Sequence, residues 1–144
     1  ERPFQLVAAP WLDAARVVES VPLTPFRGVR LHRDEVMPSM APHAGVPCPA
    51  IRVEIVDRAR VRPVSLALAL LAAIMRNHPR DFTWSPYPTA ANPSGAWHFE
   101  RLVGRHDIRE RLMDPDRPLA PTTIASWTGA RRWRDEVRAH LLYG

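Results

Sequence analysis

The chain opens with Phe4, Leu6 and Ala8 alternating with Gln5 and Val7, a period of two that predicts a short strand. Pro10 then suits the first turn of a helix, where a missing N–H leaves no bond unmade. Trp11, Ala15 and Val18 would share the buried face of that helix, which ends before Pro22. From Gly28, Val29 and Leu31 alternate with Arg30, His32 and Asp34, a half-buried strand. Ile51, Val53 and Ile55 against Arg52 and Glu54 give the cleanest alternation in the chain, closed by Asp57. Between these two strands, Met37 to Pro49 carries Pro38, Pro42, Pro47 and Pro49 as well as Gly45, so it reads as a long irregular loop. Loops of that length in compact domains are usually functional or mobile.

Pro63 opens a second helix, and Val64 to Met75 is apolar almost all round, the mark of a buried helix. It ends at Asn77-His78-Pro79. A second long loop follows over Thr83 to Gly95, and Trp97 and Phe99 then suggest a short extended segment. Asp107 and Glu110 have the spacing of a capping box for a short helix that buries Ile108 and Leu112. After a turn over Asp114 to Pro121, one last helix from near Thr122 aligns Ile124, Trp127, Ala130, Trp133, Val137 and Leu141 on one stripe. Few strands alternate with single crossover helices. The order therefore predicts an α+β fold, a small sheet of about three to five strands packed by several helices, over residues 1–144 as one domain.

Length and an apolar fraction of 46% allow a real core. The longest apolar run falls short of the roughly 20 residues that span a bilayer, so no membrane span is expected. The abrupt start at Glu1 suggests a domain taken from a longer protein. The net charge is +5, and every one of the 20 basic residues is Arg. A nucleic-acid surface would concentrate them. Instead they run from Arg2 to Arg138, and on the last helix Arg131 and Arg132 can pair with Asp135 and Glu136. Compositional bias explains them better, and no nucleic-acid partner is expected.

Candidate chemistry is sparse. There is no phosphate-binding glycine loop and no nucleophile elbow. The histidines lack ligand spacing, so no metal and no cofactor are expected. Cys48, the single cysteine, sits among prolines and reads as a buried structural thiol. Asp34 and Glu35 point to opposite faces of a strand and make a poor catalytic pair. No catalytic residue can be assigned. What remains suits a cleft: Arg2 at the domain entry, Ser39 and His43 in the first loop, and Trp84 and Tyr87 in the second. An Arg can hold a carboxylate bidentately, and aromatic rings can stack on a sugar face.

The segment Arg2-Pro3-Phe4-Gln5-Leu6-Val7-Ala8-Ala9-Pro10-Trp11-Leu12-Asp13 resembles the entry to the C-terminal domain of NamZ-type exo-β-N-acetylmuramidases, which typically reads P-F-E-x-x-G-A-P-W-hydrophobic-D. Pro38-Ser39-Met40-Ala41-Pro42-His43-Ala44-Gly45, then Cys48 and Ile51 to Asp57, matches the spacing of the family's P-T-F-S-K-x-x-G…C-G-G-V-x-x-x-V-T-D block. The apolar helix and the ending Ser126-Trp127…Leu141-Leu142-Tyr143 also fit. The chain departs from the pattern at Gln5 and Ala8, and in the loop at Ala41-Pro42 and Pro49-Ala50, where altered specificity or reduced activity is expected.

The resemblance implies a C-terminal auxiliary domain of a two-domain enzyme whose Rossmann-like N-terminal domain carries the catalytic acid. The substrate would be a peptidoglycan-derived muropeptide or disaccharide, losing a terminal N-acetylmuramic acid from its non-reducing end in the cleft between the domains. Arg2, Ser39 and His43 would contribute substrate contacts, and this domain alone would be inactive. The rival reading is a non-catalytic carbohydrate-binding or scaffolding module.

Overall fold

A computed structural model describes residues 4–22, 26–114, 120–127 and 130–142. Three strands, β1 (Leu6–Ala8), β2 (Val29–Val36) and β3 (Cys48–Ile55), form one antiparallel sheet in the order β1-β3-β2. Leu31 lies opposite Val53 and His32 opposite Arg52. That register turns Leu31, Val53 and Ile51 toward the core, and Arg30, His32, Asp34, Arg52 and Glu54 to the other face. The helices are α1 (Ala14–Ser20), α2 (Pro63–Asn77), α3 (His98–Val103), α4 (Ile108–Met113), α5 (Pro121–Trp127) and α6 (Ala130–Val137). The architecture is the small α+β domain that the alternations require.

α2 is the axis of the core. Leu70, Ala73 and Ile74 pack with Val17 of α1 and with Leu31 and Ile51 of the sheet. Leu68, Ala69, Ala72 and Met75 pack with Ile108, Leu112 and Ile124 of the later helices. An apolar helix between two layers needs no polar face. One strip stays uncovered among the described residues: Val64 is 52% exposed, and Ala67 is exposed beside it.

Several local expectations give way. α1 starts at Ala14 and not at Pro10, because the Asp13 carboxylate accepts the Arg16 backbone N–H and sets the cap three residues later. Trp11 therefore lies ahead of the helix. It packs against the buried His78 in a tilted ring contact at 5.2 Å, while His78 Nε2 accepts the Asp13 backbone N–H at 3.1 Å. The start of α1 is thereby tied to the end of α2.

β3 begins at Cys48, so Pro49 belongs to a central strand, opposite Glu35. Trp97 and Phe99 belong to a helix start rather than a strand: Trp97 takes a left-handed backbone (φ 55°) and α3 begins at His98. Asp107 caps nothing with its side chain, since Arg105 holds that carboxylate bidentately at 3.0 and 2.7 Å. The final stripe divides into α5 and α6. Ile124 is buried and Trp127 half-buried, whereas Trp133 and Leu141 are exposed. The turn expected over Asp114 to Pro121 falls largely on residues 115–119, outside the described residues, as does the Thr128-Gly129 junction.

Candidate functional site

Loop 37–47 joins β2 to β3 and is folded on itself. The Gly45 N–H donates to Pro38 O at 2.8 Å and the Val46 N–H to His43 O at 3.1 Å. Cys48 closes it, fully buried, with its thiol on Val46 O at 3.3 Å, which fits an inert structural cysteine. Ser39 is exposed and His43 half-buried, and neither side chain hydrogen-bonds another described residue. The loop thus offers both to a ligand but does not join them into a constellation. Arg2 lies outside the described residues.

The sheet's outer face carries a ladder of opposite charges. His32 Nε2 meets Glu54 Oε2 at 2.7 Å, and Arg52 Nε donates to Asp34 Oδ2 at 3.0 Å. The His32 hydrogen bond holds the Glu54 carboxyl below its usual range. The backbone N–H of Glu35, followed by Arg52, does the same for Asp34. Arg105 lowers Asp107. A glycosidase acid needs the opposite shift, upward, so that it holds a proton at neutral pH. These three carboxylates are set to accept, not to give a proton. Among the described residues, no group of three or more His, Cys, Asp or Glu is placed to hold a metal.

The densest polar-aromatic cluster lies elsewhere, where loop 83–97 meets α3 and α4. Glu100 is only 5% exposed, and Arg109 Nε lies 2.5 Å from its Oε1. Neither Glu100 oxygen has an aligned hydrogen bond among the described residues, so the contact is ionic. The Arg109 guanidinium lies over two rings, 4.7 Å from the Trp84 ring centre and 5.7 Å from that of Trp97. Trp84 packs between Phe82 and Phe99 at 5.1 and 4.8 Å. Its buried indole N–H has no acceptor among the described residues. Trp84 is thus a core wedge and not the sugar-facing ring its loop position suggests.

Tyr87 does face outward, 63% exposed, with one ring face backed by His98 at 4.8 Å. Trp97 is 62% exposed. Its left-handed backbone costs about 1–3 kcal/mol for a bulky side chain. The local structure holds it there. The loop closes as a small hairpin, with a Thr89–Asn92 bridge and the Tyr87 N–H on Gly95 O at 3.1 Å. Buried Asn92 donates to Ala96 O at 2.8 Å. A Cβ on Gly95 would stand 2.5 Å from Tyr87 N, so only glycine lets the two arms approach. Sequence reasoning missed Trp97, Glu100 and Arg109. The one signal was the dense run of aromatic residues around Gly95, with an acid and an arginine nine positions apart.

Two grooves flank α2 and are almost wholly apolar. One is lined by Phe4, Leu6, Val7, Ile55, Val61 and Leu66, among others; the second by Val64, Leu68, Leu71, Phe99, Leu102 and Trp127. Neither offers the convergent polar groups that orient a small polar ligand. No described helix is long and apolar enough to cross a membrane.

The sequence model of a family described as "Exo-beta-N-acetylmuramidase NamZ, C-terminal" matches residues 1–143. The fold is similar to that of a DUF1343 family protein from Bacteroides fragilis, solved by crystallography, with a TM-score of 0.75 at 18% identity. The match covers 99% of this chain and 36% of that one, so the chain spans about a third of the length of the solved protein. A search of the curated proteins finds no match.

Proposed function

Because the chain belongs to the family of NamZ C-terminal domains, within a family of glycoside hydrolases, we propose that it is the auxiliary half of an exo-β-N-acetylmuramidase. It completes a cleft whose catalytic carboxylate lies in an N-terminal domain of the same protein. The substrate is a peptidoglycan-derived muropeptide or disaccharide, which loses its terminal N-acetylmuramic acid from the non-reducing end. The family match over nearly every residue carries this reading. Two features support it. Hydrogen bonds hold the Asp34, Glu54 and Asp107 carboxyls below their usual range, and the exposed apolar residues Phe4, Leu6 and Val7, which line one groove, suit burial against a second domain. Arg2, Ser39 and His43 are assigned substrate contacts, with Arg2 on the lactyl carboxylate. Replacing Arg2 with Ala in the protein with both domains should weaken binding of the acidic sugar more than of a neutral analogue. Equal loss for both would assign Arg2 to the fold.

A second reading, a non-catalytic carbohydrate-binding module, draws on the exposed Trp97 and Tyr87. Glycan binding without hydrolysis by the two-domain protein would favour it.

A further inference from the structure

We infer that Trp97 and Tyr87, backed by Arg109 and His98, form a glycan platform that takes a neutral pyranose of the N-acetylhexosamine type, on residues other than Ser39 and His43 of loop 37–47. Each ring has one face supported within the protein, Trp97 by the Arg109 guanidinium and Tyr87 by the His98 ring. Each leaves most of its surface in solvent. Tyr87 packs on His98, and His98 follows Trp97 directly in the chain, so the two supported rings are borne by adjoining residues. A pyranose with equatorial substituents presents a flat C–H face to such a ring, while its hydroxyls and N-acetyl group stay in water.

Charge decides between a neutral and an acidic sugar. Arg109 is the guanidinium placed over the Trp97 ring, and the buried Glu100 carboxylate already compensates it. The platform therefore exerts little net pull on an anion. Partly exposed Arg109 N–H groups can still donate to a hydroxyl or an amide carbonyl. The site is also built before any ligand arrives. The hairpin closed over Gly95 fixes Tyr87, and the α3 start fixes Trp97 in a left-handed conformation, so little ordering is left for binding to require.

The choice of a glycan rests on the proposed function, while the neutral charge rests on the Glu100–Arg109 pair alone. The test is titration of the protein with N,N′,N″-triacetylchitotriose, followed by tryptophan fluorescence and by saturation-transfer NMR. Saturable binding is expected, reduced at least about tenfold in Trp97→Asn, since Asn tolerates the left-handed backbone while removing the ring. Tyr87→Ala, which alters only an exposed side chain, should reduce it as well. Trp133→Ala should bind as the parent does, and a hexuronate oligomer should bind no better than chitotriose. The inference is overturned if chitotriose gives no saturable signal, if both ring variants bind like the parent, or if the hexuronate binds more tightly. Loss of the muramidase reading would appear separately, as absent hydrolysis by the two-domain protein with chitotriose binding intact.

Discussion

Truncating the core helix tests the architecture, because α2 packs against both halves of the domain. Leu70 is 5% exposed against α1 and the sheet, and Leu68 is 3% exposed against α4 and α5. Leu→Ala removes three buried carbons, a transfer loss of about 2.5 kcal/mol at ~0.8 kcal/mol per methylene. If the site collapses only in part, a residual cavity of roughly 40 Å³ adds about 1 kcal/mol at ~24 cal/mol per Å³. Each variant should thus lose about 3–4 kcal/mol, within the 2–5 kcal/mol usual for such changes. Val64→Ala, on the half-exposed strip of the same helix, should lose about 0.5 kcal/mol. Urea denaturation followed by far-UV circular dichroism reads these values, and Tm should fall by roughly 10 °C for either leucine variant. Losses below about 1 kcal/mol for both leucines, or a Val64→Ala loss as large as theirs, would make α2 peripheral and refute the two-sided core.

Arg109→Met should be costlier than its partial exposure suggests, about 3–5 kcal/mol, because it strands the buried Glu100 carboxylate. Adding Glu100→Leu should restore most of that loss in chemical denaturation, and failure to do so would mean the pair is not coupled. Gly95→Ala should destabilise the loop hairpin, since the new methyl meets Tyr87 backbone and the residue has φ +67°. Faster amide exchange at Tyr87 and Thr89 would register it, and unchanged exchange would contradict the close approach. Arg132→Ala should leave urea stability within about 0.5 kcal/mol, because its 2.6 Å contact with Glu136 is a solvated helix pair. For pH, Asp34, Glu54 and Asp107 all have carboxyls lowered in the folded state. Their contribution is present above the unfolded carboxylate range and lost as pH falls through it and below. Tm should therefore drop from about pH 5 to pH 3, and the drop should shrink in Asp34→Asn; an unchanged slope would rule out Asp34 as a contributor.

The sheet was legible because its alternation is local: Val29 to Asp34 and Ile51 to Ile55 show their faces without any knowledge of partners. α2 was legible for the same reason, with Pro63 at its start and an apolar run too long for a strand. The misreadings occur where a side chain chose a partner distant in the chain or in an unforeseen direction. Asp13 capped α1 and displaced the start signalled by Pro10, and His78, 65 positions away, tied that end down. Asp107 has capping-box spacing, but Arg105 offered it two charge-assisted bonds. Trp97 reads as extended, yet the hairpin before it delivers it left-handed. The Glu100–Arg109–Trp97 cluster was invisible for the same reason, since Arg109 comes from α4 while Trp97 and Glu100 belong to the start of α3, and the three share no motif. Ser39 and His43 were recognisable as loop residues, but nothing in the loop's sequence says what they face.

The most direct measurement compares release of N-acetylmuramic acid from a disaccharide that carries it at the non-reducing end. One arm uses this 144-residue chain, and the other the same chain joined to its N-terminal domain. The account predicts no turnover by the chain alone, because the proposed function places the catalytic carboxylate in the N-terminal domain and the Asp34, Glu54 and Asp107 carboxyls here are lowered rather than raised, and steady turnover by the two-domain protein. Turnover by the isolated chain, or none by the two-domain protein, would contradict it.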